Sequence, residues 1–221
     1  MAEFTIVPGV GYARFADRTI ILDITVDRYW QLDARAGHLL DRIQRGEPCS
    51  DAEDSMLMRL RRLGLVQPIA ERQSSPCLGA PAEPRRSLIE QRPVEFQHLG
   101  LALLVEIACD AIAVRIALRS GRLSHTIASV RKPKRRSTGP LSLDQAADLF
   151  ERGMRWLPIK RICLADSLAL LRFCARRGFA PSLIFAVEAY PFQAHCWVQQ
   201  DDLVLNDVLA DIMRFHPVLV L

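Results

Sequence analysis

In its second half the chain changes hydrophobic period once, at a glycine. Residues 161–179, RICLADSLALLRFCARRGF, carry Leu164, Leu168, Leu171 and Ala175 on one helical face and Cys163, Ser167, Leu170 and Cys174 on its neighbour. Gly178 suits the position just past a helix end, and Arg176 and Arg177 complement the negative end of the dipole. Pro158 lies upstream, so the spacing predicts a helix that starts near Ile162. Beyond Gly178 the runs PSLIFAVEAY, QAHCWVQ and DLVLNDV read as three strands joined by short turns. The expectation is an α+β fold in which helices pack on an antiparallel sheet.

The remaining chain divides into two pieces. A length of 221 residues suffices for one large domain or two small ones. Residues 1–70 read as a small unit: a hairpin across Tyr12–Ile24 that turns at Ala16–Arg18, then a third strand, RYWQL, at 28–32. Asp33 caps a helix whose Ala36, Leu39, Leu40 and Ile43 recur at helical spacing, and Gly46 ends it. Ser50 caps a second helix, with Glu53 completing a capping box. Leu57, Leu60 and Leu63 form its inner face and Gly64 closes it. Residues 71–93 contain four prolines and no periodic apolar face, the pattern of a linker. The second unit, 94–221, opens with an apolar helix near 98–119. It passes through the basic loop RKPKRRSTGP and continues with a helix over Leu143–Trp156 capped by Ser142.

Composition excludes several classes. The net charge of +4 permits an acidic partner without pointing to one. The N-terminus lacks the basic and apolar regions of a secretion signal. Glu106, Asp110 and Arg115 interrupt the most hydrophobic stretch, Leu99–Arg119, so a buried helix is expected there rather than a membrane span. A cytoplasmic location follows from both. The cysteines, Cys49, Cys77, Cys109, Cys163, Cys174 and Cys196, include no CxxC pair, so no zinc site is expected and no other metal ligand set is visible. Cys109 and Cys174 fall within apolar helical patterns and read as packing residues. The run Arg131–Arg136 lacks interleaved aromatics and reads as a solvated turn. No phosphate-cradling glycine motif occurs.

Cys163 falls in the first turn of its helix, where unpaired backbone N–H groups and the positive dipole end favour a thiolate. If the loop between the second and third strands has three residues centred on Asp201, Val198 faces Val204, Trp197 faces Leu205, and His195 faces Asp207. Directly opposed side chains lie about 4.5–5.5 Å apart at Cβ, near enough for a carboxylate to orient an imidazole. A two-residue loop would reverse the parity and separate them. Cys163 as nucleophile, His195 as base and Asp207 as orienting acid would form a catalytic triad. By the residues alone, a buried packing cysteine remains the competing reading. Asp166, one turn from Cys163, reads as a helix-N-terminal charge. Asp211 is a rival acid, His216 reads as structural, and Cys196 should face away from His195 and pack.

The stretch CLADSLALLRFCARRGF…FAVEAYPFQAHCWVQQDDLVLND, from about Trp156 to Val208, resembles the lasso-peptide maturation B proteins. These are leader peptidases of the transglutaminase-like cysteine protease superfamily. The C-L-x-x-S start, the PFQAHCWV block and the Asp twelve residues after the His carry the resemblance. It implies a cysteine endopeptidase with Cys163, His195 and Asp207 as its triad. Fused members of the family carry a small PqqD-like winged-helix domain that binds the precursor, and residues 1–70 are similar in order and in their RLRRLGLV ending. The short EPCSDAED segment implies a reduced or absent middle helix. In such domains the leader adds as a strand to the third strand and packs on the last helix. That implies Tyr29, Trp30 and Leu32 on the edge strand and Met58, Arg61 and Arg62 on the helix as leader-binding residues, with Leu57 in the core.

The resemblance further implies two partners. One is a ribosomally made precursor peptide; the other is an ATP-dependent, asparagine-synthetase-like cyclase that closes a macrolactam ring. ATP is placed in that partner and no cofactor in this chain. Two other readings stand beside it. In one, residues 1–70 are a DNA-binding winged helix with Arg59, Arg61 and Arg62 facing phosphates, attached to a sensor domain. In the other, the same Cys–His–Asp parts transfer an acyl group to an amine.

Overall fold

The computed structural model describes residues 4–47, 54–69, 81–91, 99–131 and 141–221. Its first half runs β1 (Phe4–Ile6), β2 (Val10–Arg14), β3 (Arg18–Asp23), β4 (Arg28–Asp33), α1 (Ala34–Gln44), α2 (Asp54–Arg62) and β5 (Val66–Pro68). Strands β2, β3 and β4 form an antiparallel sheet in that order, and β1 pairs with β5 in a separate ribbon. The β2–β3 hairpin turns where the sequence predicts, with Arg14 opposite Thr19. Asp33 accepts the N–H of Ala36 at 3.1 Å and so caps α1. Ala36, Leu39, Leu40 and Ile43 of α1 and Leu57 and Leu60 of α2 are buried. They cover the face of the sheet that carries Val10, Ile21, Trp30 and Leu32. The predicted Ser50 and Glu53 capping box, Cys49 and most of the EPCSDAED segment lie outside the described residues.

The second half runs β6 (Arg86–Ser87), α3 (Leu101–Ser120), α4 (Leu123–Val130), α5 (Leu143–Trp156), α6 (Cys163–Arg176), β7 (Ser182–Ala189), β8 (Phe192–Gln200), β9 (Leu203–Val204), α7 (Leu209–Ile212) and β10 (His216–Val220). Its sheet has the order β10-β7-β8-β9-β6, antiparallel except for the last pair. That exception corrects the sequence reading twice. The sheet is mixed, and residues 86–87, expected within the 71–93 linker, form its parallel edge strand. Leu88 and Ser87 are buried there. Arg86 of this strand also binds Asp202 at 2.7 Å, and Ala82, elsewhere in the expected linker, accepts from Gln199 Nε2 of β8 at 2.7 Å. Cys77 and the basic residues 132–136 lie outside the described residues.

Helix α6 lies at the centre of the second half, packed on α3, α4, α5 and β8. It begins and ends as its pattern predicts, with Gly178 in the left-handed region (φ 84°) and Phe179 donating back to the Cys174 carbonyl. The charges that interrupt the apolar run of α3 all turn toward α6. Asp110 meets Arg172 at 2.9 Å and Arg176 at 2.8 Å, Glu106 meets Arg177 at 2.8 Å, and Arg115 meets Asp166 at 2.7 Å. A buried charge stays in place only when paired in this way. No described helix is long and apolar enough to cross a membrane.

The two halves share a core. The second face of the β2–β3–β4 sheet, with Ala13, Ile20 and Leu22, joins the cluster formed by α3–α6 and one face of the larger sheet. Strand β10 runs against β2 so closely that a Cβ built on Gly11 would lie 2.2 Å from the carbonyl oxygen of Val218. Phe15 packs edge-on to His216, Tyr29 packs edge-on to Phe192, and Arg18 stacks over Tyr190.

Candidate active site

Cys163 is the first residue of α6. The helix head is tied down by Asp166, which is buried and accepts the N–H of Ile162 at 3.2 Å. Its carboxylate is neutralised by Arg115 and Arg161, each at 2.7 Å. Asp166 is therefore an anchor of the helix start, more than the simple terminal charge that spacing suggests. Ile162, at the N-cap, supplies no side-chain cap, so the first N–H groups of α6 remain able to receive negative charge near the sulfur.

His195 lies on β8, opposite Ala186 of β7. Its Nε2 is 2.6 Å from Oδ2 of Asp207, which leaves Nδ1 for the sulfur of Cys163, its other hydrogen-bond partner. The rings of Phe215 and Trp197 flank the imidazole at 5.0 and 6.2 Å. The structure thus brings Cys163, His195 and Asp207 together. The rival acid Asp211 is exposed on α7, and His216, read as structural, is exposed on β10 and packs against Phe15.

The route by which Asp207 arrives differs from the expected register. The β8–β9 loop has two residues, Asp201 and Asp202, and pairs Gln200 with Leu203 and Gln199 with Val204. Leu205 then donates to the Val198 carbonyl at 2.9 Å. Continued regularly, this register would set Asp207 opposite Cys196, on the face away from His195. The ladder stops first. The side chain of Asn206 takes the N–H of Val198 at 2.7 Å, and its Nδ2 donates to Ser167 Oγ at 2.9 Å. The chain bends there, and Asp207 reaches the imidazole. Ser87 Oγ donates to the Asp207 main-chain oxygen at 2.6 Å, and Glu90 accepts the N–H of Leu209 at 3.1 Å.

Cys196 is more than the packing residue its strand position suggests. It is buried, yet both its thiol and its backbone N–H donate toward the sulfur of Cys163. That thiol and the His195 ring together hold the Cys163 thiol down at about 4 against the effect of burial. Burial disfavours a charged His195, but Asp207 and the Cys163 sulfur outweigh it and lift the ring to about 9. Cys196, donating to Cys163 and enclosed, is itself raised far above an ordinary thiol. Burial pushes Cys174, at the far end of the same helix, up to about 12. The arrangement stores a thiolate beside an imidazolium, the resting state of a cysteine nucleophile.

A family model described as the transglutaminase-like superfamily matches residues 104–220. The chain belongs to this superfamily. The match spans α3 through β10, and Cys163, His195 and Asp207 all lie within it. The superfamily includes cysteine-type peptidases and acyltransferases, and a cysteine enzyme fits the site. No curated protein and no solved structure matches the chain. The transglutaminase-like match leaves β1–β6 outside it. No group of three or more His, Cys, Asp and Glu residues suited to a metal ion occurs among the described residues.

The residues expected to bind a leader peptide are dispersed over two faces. Strand β4 is the edge of its sheet among the described residues. Leu32 is buried in the core under α1, and Trp30 packs half-buried on the same side. Tyr29 turns the other way, against Phe192 and the larger core, with its phenol raised by burial and then by the nearby Cys196. Leu32 therefore offers a leader only its main chain. Met58, Arg61 and Arg62 are exposed on α2 and line one open depression. Ser167, Asn206, Ser87 and Cys196 were not singled out as site residues by sequence. Ser167, four residues after Cys163 in the C-L-x-x-S motif, and Cys196, inside the PFQAHCWV block, are the two that fall within the motifs.

Proposed function

We propose that the protein is a cysteine peptidase that removes the leader from a ribosomally made lasso-peptide precursor. The observation that carries the reading is the Cys163–His195–Asp207 constellation at a helix N-terminus, within the superfamily that holds such peptidases. The thiolate of Cys163 attacks the scissile carbonyl carbon, and the N–H groups of the first turn of α6 receive the oxyanion. The His195 imidazolium gives its proton to the leaving amine, and a thioester to Cys163 forms. Neutral His195 then takes a proton from water, whose oxygen attacks the thioester and releases the acid. Asp207 keeps the ring oriented throughout.

In this reading the first half is a PqqD-like recognition unit. The edge of β4, unpaired among the described residues, would accept the leader as an added strand, and the basic depression at Met58, Arg61 and Arg62 would hold its side chains. The product would pass to an ATP-dependent cyclase. Nothing in the structure favours the DNA-regulator alternative. The test incubates the protein with the candidate precursor and follows fragment masses. Cleavage should vanish with Cys163→Ala and fall by about two orders of magnitude or more with Asp207→Asn. Undiminished cleavage by Cys163→Ala would remove the peptidase reading, and a product joined to an added amine would replace hydrolysis by acyl transfer.

A further inference from the structure

We infer that Asn206 and Ser167 are positioning residues that deliver Asp207 to His195. The inference rests on the Cys–His–Asp reading above and adds to it the device that makes the triad possible in this hairpin. The two-residue turn at Asp201–Asp202 sets a register in which regular pairing would put Asp207 and His195 on opposite faces of the sheet. Something has to end that register between Leu205, which still bonds Val198, and Asp207, which already bonds His195. Asn206 lies at that point.

Its amide has two ends and each is used. Oδ1 accepts the Val198 N–H that a main-chain carbonyl would otherwise take, so the ladder ends without leaving a buried donor unpaired. Nδ2 donates to Ser167 Oγ. The Ser167 hydroxyl in turn donates to the Cys196 carbonyl at 3.4 Å, the residue directly after His195. Ser167 is fully buried and one helical turn beyond Cys163. One short chain of hydrogen bonds thus connects the helix that carries the sulfur, the strand that carries the imidazole and the bend that carries the acid. Ser87 holds the Asp207 main chain from β6, whereas the Asn206–Ser167 link spans from the bend to α6.

The imidazole offers a readout that needs no peptide substrate. Asp207 and Cys163 are the ionisable groups on its two nitrogens, and Phe215 and Trp197 flank its ring. Iodoacetamide alkylation of Cys163, located by peptide mass mapping and measured against pH, reports both ionisations. Histidine ring 15N shifts report His195 directly. Asp207→Asn should bring the His195 midpoint down by about one pH unit or more. Asn206→Ala and Ser167→Ala should each do the same. Asn206→Ala should add little in the Asp207→Asn background, because groups acting through one partner are not additive. Ser167→Thr, which keeps the hydroxyl, should restore the wild-type midpoint. If Asp207→Asn shifts the midpoint and Asn206→Ala and Ser167→Ala lower only the melting temperature, the network is structural and the inference fails. If Asp207→Asn itself shifts nothing, the triad reading fails instead.

Discussion

Cys163 and Cys196 touch, yet they ionise in opposite directions, and the neighbours of each sulfur explain why. Cys163 accepts from the Cys196 thiol, the His195 ring and the Cys196 N–H, whereas Cys196 donates its own proton to that sulfur, is buried and lies near anionic groups, which together outweigh a hydrogen bond from Ser167. One prediction concerns pH. The folded-state value of Cys163 is depressed to about 4, so its thiolate exists above that pH and is lost below it. The value of His195 is raised to about 9, so the imidazolium exists below that pH and is lost as pH rises through it. Peptide cleavage should therefore form a plateau bounded near 4 and near 9, read from initial rates. A second prediction isolates Cys196. Replacing it with Ala removes a donor to the sulfide anion and should move the lower limit of Cys163 alkylation upward. An unmoved limit would show that His195 and the helix end suffice.

At the scale of elements, α6 is held by charges from beneath and from its head. Asp166 is the most exacting of these, since two arginines and a backbone N–H converge on one buried carboxylate. Asp166→Ala should destabilise the fold by about 3 kcal/mol, because breaking a buried pair leaves its partners uncompensated. Urea denaturation measures this. The same change should slow Cys163 alkylation at neutral pH, since the helix head loses its tether. Helix boundaries, caps and inner faces were legible beforehand at α1, α5 and α6, because Asp33, Ser142, Gly178 and apolar residues at period 3.6 act within a few residues of one another. Strand β6 was not legible. Two residues among prolines become a strand only because the edge of β9 is there to pair with them.

For the molecule as a whole, the shared core sets the relation between the two halves. A recognition unit on a loose linker could be removed without harm to the enzyme. Here Ala13, Ile20 and Leu22 of the first half are buried in the cluster that supports α6. Deleting residues 1–80 would expose that surface and should cost stability as well as peptide capture. The contact of β2 with β10 gives a finer test. Gly11→Ala places a methyl group against the Val218 carbonyl, an overpacking that costs about 1–3 kcal/mol and should lower the melting temperature by about 5 °C. A single cooperative melt should persist at the lower temperature. Two separate transitions would show that the halves fold independently.

The order of residues alone determined the α+β layering, the helix that begins at Cys163, the strands that follow it and the identities of the three side chains at the site. These depend on periodicity, caps and turn residues, which act over a few positions. Tertiary structure decided the rest. Strand alternation separates Cys196 from His195, but the head of α6 lies close enough to reach both. A two-residue turn should have parted Asp207 from His195, but a buried hydroxyl on α6 offered Asn206 a partner that broke the register. Such outcomes turn on groups distant along the chain meeting at hydrogen-bond distance, and local patterns carry no record of those meetings.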